Sequence, residues 1–222
     1  MSSIAPKLIS EFKRLLQVDY SVDMHIKELA YSAEQGNVRA MSSLALAYFN
    51  GDGVEQNYEE AYKIFSLLAE KGHADSQYWL GECYNLGNGI EQDVDEALNW
   101  YLKAAEQDNV DALHELAWIY LSGNYVEQDL EKAFNYTIRA AELGNVVEQT
   151  NIGFFFAEGI GVEPNPEEAF KWYLKAAEQG NDLAQFRLGK CYECGIGVEK
   201  NLDKAIYYYD LSIEQGNLEA MN

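Results

Sequence analysis

Ser10 and Lys13 have the serine–lysine spacing in which an amine can activate a hydroxyl nucleophile. That chemistry also needs SDN and KTG partners, and neither occurs in the chain. Cys191-Tyr192-Glu193-Cys194 has the CxxC spacing of thiol–disulfide exchange or of half a zinc site. A single pair within a helical pattern, with no preceding strand and no second pair, supports neither use, and Cys83, Cys191 and Cys194 are read as core thiols. His25, His73 and His114 fall in different segments, and His114-Glu115 lacks the second histidine of HExxH. The glycine pairs Gly51/Gly53, Gly87/Gly89, Gly159/Gly161 and Gly195/Gly197 are followed by no GK[ST], so they read as turns and not as phosphate loops. Asn135-Tyr136-Thr137 fits a glycosylation acceptor but stands in a chain with no signal-peptide pattern. The expectation is a non-enzymatic protein with no cofactor and no metal.

The elements that would position any site follow from a repeat. Leu80-Gly81-Glu82-Cys83-Tyr84, running through Gly87-Asn88-Gly89-Ile90, Asp93, Ala97 and Trp100 to Ala104-Ala105-Glu106, returns every 36 residues. Five copies fall in register, at 37–72, 73–108, 109–144, 145–180 and 181–216, the signature of a solenoid. In the second copy Ser76, Leu80, Cys83 and Tyr84 form the apolar stripe of a first helix. Gly87 suits its left-handed terminus, Asp93 can cap a second helix, and Ala97, Trp100, Tyr101 and Ala104 mark that helix's buried side. Ala45, Gly81, Ala117, Gly153 and Gly189 share one small-residue column, which predicts a close approach of two helices.

These motifs, LGxxYxxGxGV followed by KA or EA, WY and KAAEQG, resemble the Sel-one-like repeat family, longer-period relatives of tetratricopeptide repeats. The resemblance covers Asn37–Gly216. It implies an all-α fold, a right-handed α/α superhelical solenoid of helix-turn-helix repeats with a 36-residue period, stabilised between neighbours instead of around one globular core. Three positions depart from the pattern. Tyr125 replaces the second loop glycine, Asp108 the closing glycine, and Glu148 stands where Ala40, Ser76, Ala112 and Ala184 do. Residues 1–36 read as a degenerate capping pair, a helix over 1–17 with Ile4, Leu8, Phe12, Leu15 and Leu16 and another over Val22–Ala33. Residues 217–222 start a sixth repeat or form a tail. Some cysteine-rich members of the family have been linked to β-lactam binding, which leaves a β-lactam-binding hydrolase using Ser10 as a remote alternative.

The formal charge is −21, from 16 basic and 37 acidic residues. Nucleic-acid binding needs clustered Lys and Arg, so this balance excludes it and disfavours anionic membranes. A basic protein partner is one reading of the charge. A solvated acidic skin is preferred, since Glu70, Glu106, Glu142, Glu178 and Glu214 belong to the repeat itself. No apolar run reaches the roughly 20 residues of a membrane span. The absence of repeated cysteine pairs favours a reducing, cytoplasmic location, and a monomer is expected.

Solenoids hold partners on the concave face of their first helices. There the second copy offers Tyr78, Trp79, Glu82 and Asn85. The third offers Asp111, His114, Trp118 and Leu121, the fourth Phe154, and the fifth Phe186, Arg187 and Lys190. These positions vary between copies while the framework repeats, so they read as aromatic anchors with a mixed rim. The alternative is that the aromatics only pack between helices. The expected function is a scaffold or adaptor gripping a protein or peptide segment. An inhibitor or immunity-type protein that neutralises a basic effector is the second reading.

Overall fold

The computed structural model describes residues 23–217, together with Ser10 and Lys13. Apart from those two exposed residues, the helix expected over 1–17 lies outside the described residues, as does the sixth-repeat segment 218–222. Among the described residues there are eleven helices and no strand. Helix α1 spans Met24–Glu34 and precedes five helix pairs: α2 (Val38–Asn50) with α3 (Tyr58–Ala69), α4 (Ala74–Leu86) with α5 (Val94–Ala105), α6 (Val110–Ser122) with α7 (Leu130–Glu142), α8 (Val146–Glu158) with α9 (Pro166–Glu178), and α10 (Asp182–Cys194) with α11 (Leu202–Glu214). This is an all-α solenoid architecture of helix-turn-helix repeats. Packing divides the chain into two compact units, one reaching to Asn109 and one starting at Val110, a division that falls where the second repeat gives way to the third.

The helices begin where the repeat places a short polar side chain. Asp93 accepts the amides of Asp95 and Glu96 at 3.1 Å each, and Asn145 and Asn181 accept those of Glu148 and Ala184 at 3.0 and 2.8 Å. Each bond satisfies an amide that the first helical turn would otherwise leave unpaired. Asp108 retains the left-handed backbone of the glycine it replaces, with φ 60°. Tyr125 does not: among the described non-glycine residues only Asp108 has a positive φ, so the third inter-helix loop turns by a different route.

Within a pair, the two helices meet at the small-residue column. A Cβ placed on Gly81 would lie 2.6 Å from the Tyr101 ring, and one on Gly189 would lie 2.6 Å from Tyr209. Gly153 faces Tyr173 in the same way at 2.7 Å. In the first and third pairs, where the column holds Ala45 and Ala117, the residue twenty places later is Phe65 or Thr137 instead of tyrosine. Glycine and tyrosine thus occur as partners.

Between pairs runs a buried polar ladder that periodicity alone conceals. Gln77, Gln149 and Gln185 are buried, and their amide nitrogens reach the carbonyls of Ala69, Ala141 and Ala177 at 3.2, 3.1 and 3.4 Å. Their side-chain carbonyls in turn accept from Gln107, Gln179 and Gln215 at 2.7, 2.6 and 2.8 Å. Where the third pair carries Leu113 instead, the matching later position is Leu143. Pairing glutamine with glutamine satisfies buried amides that would be costly if left alone.

The core is otherwise alanine, leucine and aromatic residues, including Cys83 and Cys191, as expected of thiols in that column. Burial pushes the Cys83 and Cys191 thiols up to about 12 and about 11, well away from reactive thiolates. Cys194, expected in the core, is exposed instead. It is the last residue of α10, next to the turn at Gly195, and has rotated off the buried stripe. Trp100 is only half-buried, with the Lys103 ammonium 3.6 Å above its ring.

The helix–helix contact leads to a quantitative expectation. Gly81→Ala should lower stability by about 1–3 kcal/mol, the usual cost of overpacking a closed contact. Adding Tyr101→Thr, which copies the Ala117–Thr137 pairing, should cost less than the sum of the two single changes. Chemical denaturation of the four proteins measures this coupling, and strict additivity would mean that Gly81 and Tyr101 do not constrain each other.

Candidate protein-binding site

The positions proposed from sequence as a binding face fare differently in the two units. In the first unit, Tyr78 and Trp79 are half-buried members of an aromatic cluster and not open anchors. Trp79 stacks on Phe65 at 6.0 Å and meets Phe49 at 5.2 Å, while Tyr78 lies 6.0 Å from Tyr101. The Tyr101 hydroxyl donates to Glu82, and the backbone carbonyl of Asn85 accepts from Gln92 at 2.7 Å. Packing within the pair and against the pair before it occupies these rings and the Glu82 carboxylate.

In the second unit Phe186 also turns inward. It is 5% exposed, 5.8 Å from the Tyr209 ring, with the Lys190 ammonium 4.7 Å above it. Phe186 supports the surface that Arg187 and Lys190 form and is not itself presented. The remaining residues converge. Trp118 is 56% exposed and Phe154 37%, high values for such large apolar side chains. They border a hollow of about 280 Å³ that is also lined by His114, Leu121, Ala117, Thr137, Glu148 and Asn151. Phe154 and Asn151 separate it from a second hollow of about 150 Å³, where Arg187 places its guanidinium 5.7 Å from the Phe154 ring. Asp111 is exposed at the start of α6.

Two departures from the repeat create the larger hollow. Thr137 stands where the second, fourth and fifth pairs have Tyr101, Tyr173 and Tyr209, so the space a phenol ring would fill stays open beside Ala117. Glu148 replaces the usual alanine or serine and is 1% exposed. Its Oε1 accepts from His114 Nδ1 at 2.5 Å and its Oε2 from Asn151 at 3.3 Å, and it lies in the first turn of α8. The hydrogen bond to Glu148 holds the His114 pKa above the ordinary histidine value, and the charges of Glu148, Glu115 and Asp111 add to the rise while partial burial opposes it. A carboxylate is thereby kept out of water by two donors on an otherwise apolar floor. Sequence reasoning saw Glu148 only as an irregularity and missed Thr137 and Asn151. The broken tyrosine column was the available signal.

Comparison with known proteins follows the same repeat. The Sel1 repeat profile matches residues 38–73, 74–109, 110–145, 149–181 and 182–217. The chain belongs to the Sel1 repeat family. The fourth match begins just after Glu148, where the departure from the pattern lies. This Sel1 repeat protein is similar to a Sel1 repeat protein from Oxalobacter formigenes, with 31% identity and a TM-score of 0.75 over 96% of this chain and 85% of the other. It is also similar to a protective antigen with the same fold from uropathogenic Escherichia coli, with 32% identity and a TM-score of 0.82. That match covers 96% of this chain but only 46% of the antigen. No curated protein matches the chain. Sel1 repeats generally serve as protein-interaction scaffolds and not as catalysts. No helix among the described residues is long and apolar enough to cross a membrane.

The His114–Glu148 pair makes stability depend on pH. The folded state binds the His114 proton more tightly than the unfolded chain does. This contribution is therefore fully present below the ordinary value of about 6.5 and fades as pH rises through the raised one. The difference in melting temperature between the native protein and His114→Gln should be largest below the ordinary histidine value of about 6.5 and shrink as pH rises above it. A difference that stays constant with pH would show that the ion pair does not contribute.

Proposed function

We propose that this Sel1 repeat protein is a non-enzymatic interaction module that holds a segment of a partner protein on the exposed first-helix face of its second unit. The observation that carries this reading is the hollow at Glu148, bordered by the exposed rings of Trp118 and Phe154. Aromatic side chains around a partly enclosed depression are typical binding anchors. They occur here where the repeating framework has been broken, so packing of the repeat does not require them. Arg187 and Lys190 supply a mixed polar rim beyond Phe154. The free thiols Cys83, Cys191 and Cys194 suit a reducing compartment.

The acidic surface supports a narrower variant, an inhibitor that neutralises one basic effector. A single partner held tightly and released by salt would mark that role, whereas several partners held loosely would mark an adaptor.

Trp118→Ala should weaken partner binding by about 2 kcal/mol or more while leaving the melting temperature and helical content unchanged. Titration of the captured partner against native and variant protein tests this. A binding constant unaffected by the change would remove the hollow from the interface, and a loss of folding would assign Trp118 to the core.

A further inference from the structure

We propose that the hollow at Glu148 is a socket for one cationic side chain, an arginine or lysine of the partner segment. This inference rests on the reading of the second unit as a protein-binding surface and names what that surface selects.

The first argument comes from the four tryptophans. Trp79 lies within rings, Trp100 lies under Lys103, and Trp172 lies under the Lys175 ammonium at 4.7 Å. Trp118, more than half exposed, has neither a stacked ring nor a lysine or arginine of the described residues against it. A tryptophan face attracts cations more strongly than other rings do, and this chain already pairs two of its four in that way.

Charge supplies the second argument. The floor holds Glu148, a carboxylate removed from water, with Asp111 and Glu115 close enough to act on the same histidine. His114 and Asn151 each occupy one Glu148 oxygen, and a carboxylate offers about four acceptor positions, so capacity for a further donor remains. Because Glu148 itself is buried, an ion pair made to it is screened less than one on the open surface. The whole stretch 110–222 carries 8 basic and 19 acidic residues, so the surroundings favour the approach of a cation.

The third argument concerns direction. Arg187 lines the smaller hollow on the other side of Phe154. Of the two depressions that share this ring only the larger is lined by a carboxylate, so an incoming cation is steered to the Glu148 side.

The test is a selection of random displayed peptides on the immobilised full-length chain, followed by binding constants for the selected peptides. Three variants are compared with the native protein: Glu148→Gln, Trp118→Ala, and the double change Ala117→Gly with Thr137→Tyr. The double change installs the glycine–tyrosine contact of the other pairs and fills the hollow with a ring the fold already accommodates; circular dichroism confirms that each variant is folded. The expected result is enrichment of arginine or lysine at one peptide position. Binding should weaken at least about tenfold in each variant, and about tenfold when that residue is replaced by neutral citrulline or norleucine. Peptides that lack a basic residue, yet are lost with Trp118→Ala and kept with Glu148→Gln, would overturn the cationic socket and leave the protein-binding reading in place. Peptides indifferent to all three variants would overturn both. A selection that returns no binder would also overturn the socket.

Discussion

Three of the helix pairs depend on a close contact between a residue without a side chain and the ring of a tyrosine. At Gly81, Gly153 and Gly189 the second helix of a pair approaches until a ring lies too close for a β-carbon to stand without a shift. That approach sets the separation of the two helices, and helix separation decides which side chains can fill the interior. The rest of the repeat follows: alanines along the second helix, leucines along the first, and glutamines bridging to the next pair.

The same constraint explains the hollow at Glu148. In the third pair Ala117 stands in place of the glycine and Thr137 in place of the ring. The exchange returns a smaller side-chain volume to the interior than a phenol would, and the deficit opens toward the surface between Trp118 and Phe154. Glu148 enters that space from the neighbouring pair, and its burial is tolerable because His114 and Asn151 meet it. A solenoid tolerates such local departures well, since each repeat depends mainly on its neighbours. The Sel1 framework thus carries stability in its repeated columns and leaves the irregular positions free to be specific.

Acidity at this scale has two components that act differently. Most carboxylates sit on exposed helix faces, where water and salt screen them and each contributes little to stability. Glu148 is the exception, because burial removes the screening and makes its environment decisive. General charge governs how partners approach, and the buried group governs which side chain can dock.

Much of this was legible in the chain as written. The 36-residue period, the caps at Asp93 and the asparagines, the small-residue column and the buried cysteine column are all local or periodic, and the backbone geometry of helices translates them directly. The irregularities at Asp108, Tyr125 and Glu148 were visible as well. Their consequences were not. Sequence placed Tyr78 and Phe186, at the sixth position of their repeats, beside Trp118 and Phe154, at the tenth, with Trp79 alongside, because all lie on the first-helix side that varies between copies. Tertiary structure separated them by what stands opposite: Phe65 and Tyr101 enclose the first two and Tyr209 encloses Phe186, whereas Thr137 leaves the space beside Trp118 and Phe154 open. Period and propensity determine which face of a helix a residue occupies. Only the volume and polarity of the side chains packed against that face decide whether the residue fills a core or borders a site.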